Sequence, residues 1–195
     1  MQKSGPHVVT AATSDPVTVA EARDYCLITG TGDGSKLAAL ISSATEFVQR
    51  SIAQQLIAAT LLETWDWFPR VLTLERRPLQ SVSWVKYYDA DGTLTTVSSA
   101  DYYVDTYARP PRIAPLSGTP WPSVQTGRPA AVQVQYVAGY ASADATPASI
   151  KLAIKALVKL WYDSPVPVMS SGAMPQEMPY HLADLMRIND QSGYS

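Results

Sequence analysis

The seven apolar residues Leu37, Leu40, Ile41, Ala44, Phe47, Val48 and Ile52 recur at intervals of three and four. No other feature constrains the fold as much. That spacing puts them all on one side of an α-helix, with Ser42, Ser43, Glu46, Gln49 and Arg50 on the other. A helix over 36–52 with such a stripe must bury it against other elements, so the chain has to be a packed domain. Two further helices are predicted. In Val17-Thr18-Val19-Ala20-Glu21-Ala22 the Thr18 hydroxyl can accept from the Glu21 amide while the Glu21 carboxylate reaches back and Val17 staples onto Ala22. The resulting helix, 18–28, should bury Ala22, Tyr25 and Cys26 and end at Gly30-Thr31-Gly32-Asp33-Gly34. Pro147-Ala148-Ser149 opens a third helix, 148–163, with Ile150, Ile154, Leu157 and Trp161 on one face and Lys151, Lys155 and Lys159 on another.

From about 57 to 140 the pattern is that of strands. Thr60–Trp67 can set Leu61, Glu63, Trp65 and Trp67 on one side; Val71–Leu74, Ser81–Tyr88 and Tyr102–Asp105 follow; Ala131–Val137 alternates Val132, Val134 and Tyr136 against Gln133 and Gln135. Asp89-Ala90-Asp91-Gly92 reads as a hairpin turn. Six of the fifteen prolines fall within 109–129, which predicts a long, stiffened, partly extended loop. The element order predicts an α+β fold: a helical bundle from the N- and C-terminal helices with an inserted antiparallel β segment. Residues 1–17 are expected as an N-terminal arm and 18–163 as a single domain. Residues 164–195 are expected as a C-terminal extension, with Leu182, Leu185, Met186 and Ile188 apolar in a short helical segment.

Composition narrows the function. Of 195 residues 46% are hydrophobic, enough for a sizeable core, while only 16% are charged, below the roughly 25% usual for soluble domains. A surface built from Ser, Thr, Gln, Ala and Pro suits extensive subunit contacts. A net charge of −2 argues against a protein whose main task is gripping nucleic acid. The one cysteine, Cys26, excludes an intramolecular disulfide and a CxxC zinc site. No apolar stretch approaches the roughly 18 residues of a membrane span, and no h-region follows the first residues, so a soluble protein made in the cytoplasm is expected.

A search for chemistry yields little. Gly30-x-Gly32-x-Gly34 follows a helix and lacks phosphate-loop spacing, so it reads as a linker. Asp89-x-Asp91-Gly92 lacks the remaining acidic positions of a calcium loop and reads as a turn. Cys26 falls on an apolar helix face, and His7 and His181 lie near opposite ends of the chain; neither a nucleophile–base pair nor a metal set follows. The Lys151/Lys155/Lys159 stripe reads as a solvated face or a contact to phosphates or acidic neighbours. Trp65, Trp67, Trp84 and Trp121 read as core or interface before sugar or base binding. No catalytic residue, cofactor or metal is assigned.

Four blocks, taken in order, carry a resemblance. They are Val19-Ala20-Glu21-Ala22-Arg23; Leu37 to Val48 leading into Thr64-Trp65; Leu72-x-Leu74, Arg77 to Val82, Val85-x-Tyr87 to Gly92 and Asp101 to Asp105; and Trp121-Pro122, Val132 to Tyr140, Thr146 to Lys151 and Leu160-Trp161-Tyr162. Over about 18–188 the sequence resembles the head–tail connector proteins, or head-completion adaptors, of long-tailed phages. It departs from them at Ser164-Pro165-Val166-Pro167. The resemblance implies a structural virion protein and not an enzyme. It would be an adaptor ring, of twelve subunits, that joins the portal to the next neck protein (a stopper or tail-completion protein) and extends the channel through which genomic DNA passes without specific binding. Met174, Met178, Tyr180, Leu182, Leu185 and Met186 are then the expected portal anchor. Arg109, Pro110, Pro111, Arg112, Trp121 and Arg128 are the expected contacts to a neighbouring subunit or the next neck protein. The competing readings are a β-rich, tail-associated binding module and a small enzyme with no recognised motif.

Overall fold

The computed structural model describes residues 3–163, which form two compact units. Of the described residues, the first takes those up to Thr13 together with Ala53–Ala141; the second takes Ser14–Ile52 and those from Ser142 to Asp163.

The first unit holds eight strands: β1 (His7–Thr10), β2 (Ala59–Trp65), β3 (Leu72–Thr73), β4 (Leu79–Tyr88), β5 (Leu94–Thr96), β6 (Tyr102–Asp105), β7 (Arg112–Pro115) and β8 (Val132–Ala138), with a short 3-10 turn at Ser99–Asp101. They make two antiparallel sheets, one ordered β1-β2-β8-β4-β5 and one ordered β3-β7-β6. Both β2 and β8 bury every second residue, as half-buried strands must. Their register sets Leu61 opposite Tyr136 and Glu63 opposite Val134. Inward residues of both sheets share one core that includes Leu61, Trp65, Leu72, Val85, Ile113 and Tyr136. At the end of β8 the chain needs glycine: Gly139 has φ +115°, and a Cβ there would lie 2.6 Å from the Ile57 carbonyl.

One core position breaks the apolar rule. Glu63 is fully buried on β2. Its Oε1 accepts from the Tyr136 hydroxyl and, at 2.8 Å, from the Glu75 amide. Its Oε2 lies 2.8 Å from the Lys3 ammonium, a contact that is ionic more than an aligned hydrogen bond. Lys3 also donates to the Thr73 carbonyl at 2.8 Å, lies 3.2 Å from Glu75 and sits 5.4 Å from the Trp65 ring. Burial and the adjacent Glu63 carboxylate hold the Tyr136 phenol protonated far above its ordinary range. The N-terminal segment is sewn down beside this cluster: the Ser4 amide donates to the Thr64 carbonyl at 3.0 Å, and the Thr64 amide returns a bond to the Ser4 hydroxyl at 3.1 Å.

The second unit contains α1 (Val19–Cys26), α2 (Gly34–Ser51) and α3 (Ala148–Asp163). The capping box at Thr18 and Glu21 is formed in both directions. Leu37, Ile41, Ala44 and Val48 of α2 are buried, as are Ile150, Ile154, Leu157 and Val158 of α3. Polar ties add orientation. Lys151 pairs with Glu21 at 2.9 Å, the Tyr162 hydroxyl donates to Asp33 at 2.8 Å, and Phe47 meets Trp161 edge-on at 6.2 Å. Tyr25, expected in the interior, is instead partly exposed, with the Lys155 ammonium 5.7 Å from its ring.

The expected helical bundle with a β insertion is overturned, although α+β still describes the fold broadly. Among the described residues eight strands in two sheets outnumber three helices. The sheets own a separate core of their own, and β1 comes from the segment expected to be an arm. The expected antiparallel β segment is two sheets. Part of the expected proline-rich loop is β7, because Ile113 is fully buried and anchors that strand between β3 and β6.

Two outcomes follow from these interactions. Lys3→Ala strands a buried carboxylate and should lower stability by about 3–5 kcal/mol, whereas pairing Lys3→Met with Glu63→Gln should recover most of it; chemical denaturation of the three proteins checks this. Glu21 is held down to about 2 from an ordinary 4.5, first by the Thr18 amide and then by Lys151. A depressed folded-state value means stability present above 4.5 and lost as pH falls from 4.5 toward 2. Because Glu21 is partly exposed, solvent screening keeps the effect modest. Acid titration of the helical circular-dichroism signal should show that slope, and Glu21→Gln should flatten it.

Candidate interaction surface

The β6–β7 hairpin of the first unit carries exposed aromatic residues, Tyr103 and Tyr107. Its register runs from Tyr102 opposite Pro115 to Asp105 opposite Arg112. Beyond Asp105 the chain turns through residues 106–111. One Asp105 oxygen accepts from the Tyr107 amide at 3.2 Å and the Ala108 amide at 3.0 Å, while the other accepts from Arg112 Nε at 3.0 Å. Those partners, the Ala108 amide foremost, hold the Asp105 carboxyl below its usual range. Aspartate is the residue type that ties a turn this way, since its short side chain reaches amides two and three positions on. The tip presents Tyr107 with 94% of its surface in solvent.

At the other end of the hairpin lies a cleft of about 300 Å³. Its walls include Tyr87, Val97, Asp101, Thr119, Pro120 and Trp121. Trp121 is fixed by stacking on Phe68, with ring centroids 4.7 Å apart and planes 8° apart, and by a tilted contact with Tyr102 at 6.3 Å. Its indole N–H is buried without an acceptor among the described residues, which costs about 1–3 kcal/mol. Burial raises the Tyr102 phenol.

The six residues expected at a neck or neighbour-subunit contact occupy three places. Arg109 and Pro110 are exposed at the hairpin tip, joined by a cis peptide bond, with Arg112 just inside on β7. Pro111 is buried, and its carbonyl accepts from the Leu74 amide at 2.9 Å. Trp121 lines the cleft. Arg128 lies apart from both, its guanidinium 3.4 Å from the centre of the Tyr88 ring and 3.2 Å from Gln125 Oε1. Met174, Met178, Tyr180, Leu182, Leu185 and Met186, expected at the portal, lie outside the described residues. Sequence reasoning missed Tyr107. The signal available was an aspartate two residues before an aromatic in a proline-flanked turn.

Other candidates resolve into structure. Cys26 is buried on α1, and burial pushes its thiol up, away from reactivity. His7 lies exposed on β1. Gly30 to Asp33 link α1 to α2. Asp89 ties its own turn, accepting from the Asp91 and Thr93 amides at 3.1 and 2.9 Å. The lysine stripe is engaged within the second unit: Lys151 with Glu21, Lys155 near Tyr25, and Lys159 with Asp163 at 2.8 Å. Among the described residues no three His, Cys, Asp or Glu side chains gather as a metal set, and no helix is long and apolar enough to cross a membrane.

The family model for head completion proteins matches residues 16–181. The chain belongs to the head completion protein family. This head completion protein also shares its fold with solved structures. It is 26% identical to a chain in the neck of the empty gene transfer agent (GTA) particle computed with C6 symmetry, with a TM-score of 0.74 over 95% of this chain and 94% of that one. A chain from the virion of the native GTA particle is 26% identical, with a TM-score of 0.72 over 94% and 93% of the two chains. One from the native GTA neck computed with C12 symmetry is 24% identical, with a TM-score of 0.72 over 95% and 94%. No curated protein shows significant similarity to the chain.

Removing Trp121 tests how far the cleft belongs to the fold. Trp121→Ala should cost about 2–3 kcal/mol through lost packing on Phe68 and Tyr102, while Trp121→Phe, which keeps a stacking ring, should cost less than half of that. Denaturant titration followed by circular dichroism measures both.

Proposed function

We propose that this head completion protein forms a cyclic ring of twelve subunits at the head vertex, seated on the portal on one side and receiving the stopper or tail-completion protein on the other. Its family and its fold make it a structural component of the virion neck, an adaptor in the head-to-tail connection. The match to the head completion family over 166 of 195 residues (16 through 181) carries the reading. A ring is supported by the sixfold-symmetric neck in which the 26% identical GTA chain sits, a symmetry that six or twelve copies satisfy. The count of twelve follows the resemblance to head–tail connectors. The role is mechanical, with no bond made or broken by the chain. A net charge of −2 supports passage of DNA, since a lumen rich in Lys and Arg would retain phosphates.

The portal contact is assigned to residues 164–195, where Met174, Met178, Tyr180, Leu182, Leu185 and Met186 supply apolar anchors in sequence. A segment that folds on its partner surface suits such a composition. Ending the chain after Asp163 should leave the circular-dichroism spectrum and melting of the remaining protein close to those of the whole, while DNA-filled heads accumulate without tails. Normal tail joining by the shortened chain, scored by electron microscopy of complemented particles, would remove the portal assignment.

A further inference from the structure

We propose that Tyr107, at the tip of the β6–β7 hairpin of one copy, seats in the Trp121 cleft of the adjacent copy and forms the repeated side-to-side contact of the ring. This rests on the ring reading above and names the residues that make it.

The tip is built to present its aromatic. Tyr107 is the most exposed of the large apolar side chains among the described residues, yet the backbone beneath it is fixed by two amide bonds to the Asp105 carboxylate, which Arg112 holds in turn. An exposed tyrosine on a pre-ordered turn loses little conformational entropy when a partner covers it, which is the character of an interface anchor.

The cleft has complementary chemistry. Tyr87 and Trp121 offer ring surfaces, Pro120 and Val97 apolar walls, and Asp101 and Thr119 oxygen acceptors for a phenolic hydroxyl. A volume of about 300 Å³ sits at the bottom of the range of ligand pockets and has room for an aromatic side chain. The Trp121 ring is locked by its stack on Phe68, so the receiving wall is also pre-formed.

Knob and cleft lie at opposite ends of the same hairpin. Asp101 precedes β6, and its carbonyl accepts from the Leu116 amide just past the end of β7; Tyr107 is six residues further along. The strand Tyr102–Asp105 alone, at about 3.3 Å per residue, holds the two ends roughly 10 Å apart. A chain therefore cannot place its own Tyr107 in its own cleft. The pairing has to run between copies, and it joins two different surfaces. Such a heterologous contact closes into a ring when its rotation divides a full turn, as the ring reading above requires.

The test uses necks isolated from particles carrying the full-length chain. Tyr107→Cys and Thr119→Cys are combined in one protein, with each single variant as control. Oxidation should give a ladder of covalent multimers from the double variant and none from either single variant, since buried Cys26 is common to all. Tyr107→Ala, whose fold should be intact because the side chain is exposed, should lower the amount of this chain in necks at least tenfold; Tyr107→Phe should lower it less. Rings that contain the chain but yield no ladder, or Tyr107→Ala incorporated at the wild-type level, would overturn the contact and leave the adaptor reading standing. Cross-linking of the Tyr107→Cys chain to a different neck protein would overturn it in favour of that partner. Particles in which the chain forms no ring would remove both readings together.

Discussion

A single negative charge inside the β unit organises everything around it. Taking Glu63 out of water costs several kcal/mol, which only an opposite charge and well-placed donors offset. Tyr136 comes from β8, the Glu75 amide from the segment after β3, and Lys3 from the start of the chain. The carboxylate is satisfied only when three segments distant in sequence converge. That convergence fixes where the N-terminal strand lies and hence which edge of the five-stranded sheet it occupies. The arrangement also specifies register, because a one-residue slip of β2 would point Glu63 away from all three partners.

The helical unit works by more ordinary means. An apolar stripe on α2 meets one on α3, and the capping box starts α1. Its charged groups pair locally, so the stripe of lysines on α3 is spoken for by Glu21, Tyr25 and Asp163. This distribution leaves the candidate surface on the other unit, at the two ends of the β6–β7 hairpin.

What could be read in the sequence was what repeats locally. The α2 stripe, the Thr18–Glu21 box and the alternation of β8 are each carried by neighbours within one or two turns or strand repeats. The short strands β1, β5 and β7 were invisible because they have three or four residues of signal and exist through partners elsewhere. β7 lies among prolines that argue for a loop, and only the burial of Ile113 reveals it. Alternation did place Glu63 on the inward side of β2, but its partner Lys3 stands sixty residues earlier in a segment with no period at all. The bundle expectation gave the helices too much weight, since a long amphipathic stripe is louder in sequence than several short strands with a common core. At the candidate surface, Trp121 announced itself by type, whereas Tyr107 required knowledge of its exposure.

The order of strands has a consequence for synthesis on the ribosome. β8 sits between β2 and β4 at the heart of the larger sheet, yet it is the last of the described strands to be made. The 73 residues that separate Glu63 from Tyr136 take about 4–15 s to translate. For that interval the nascent β2 has emerged without its central neighbour, and its carboxylate without the phenol. Until then β2 can pair only with β1 on its other edge, so the larger sheet cannot close before translation has passed Ala138.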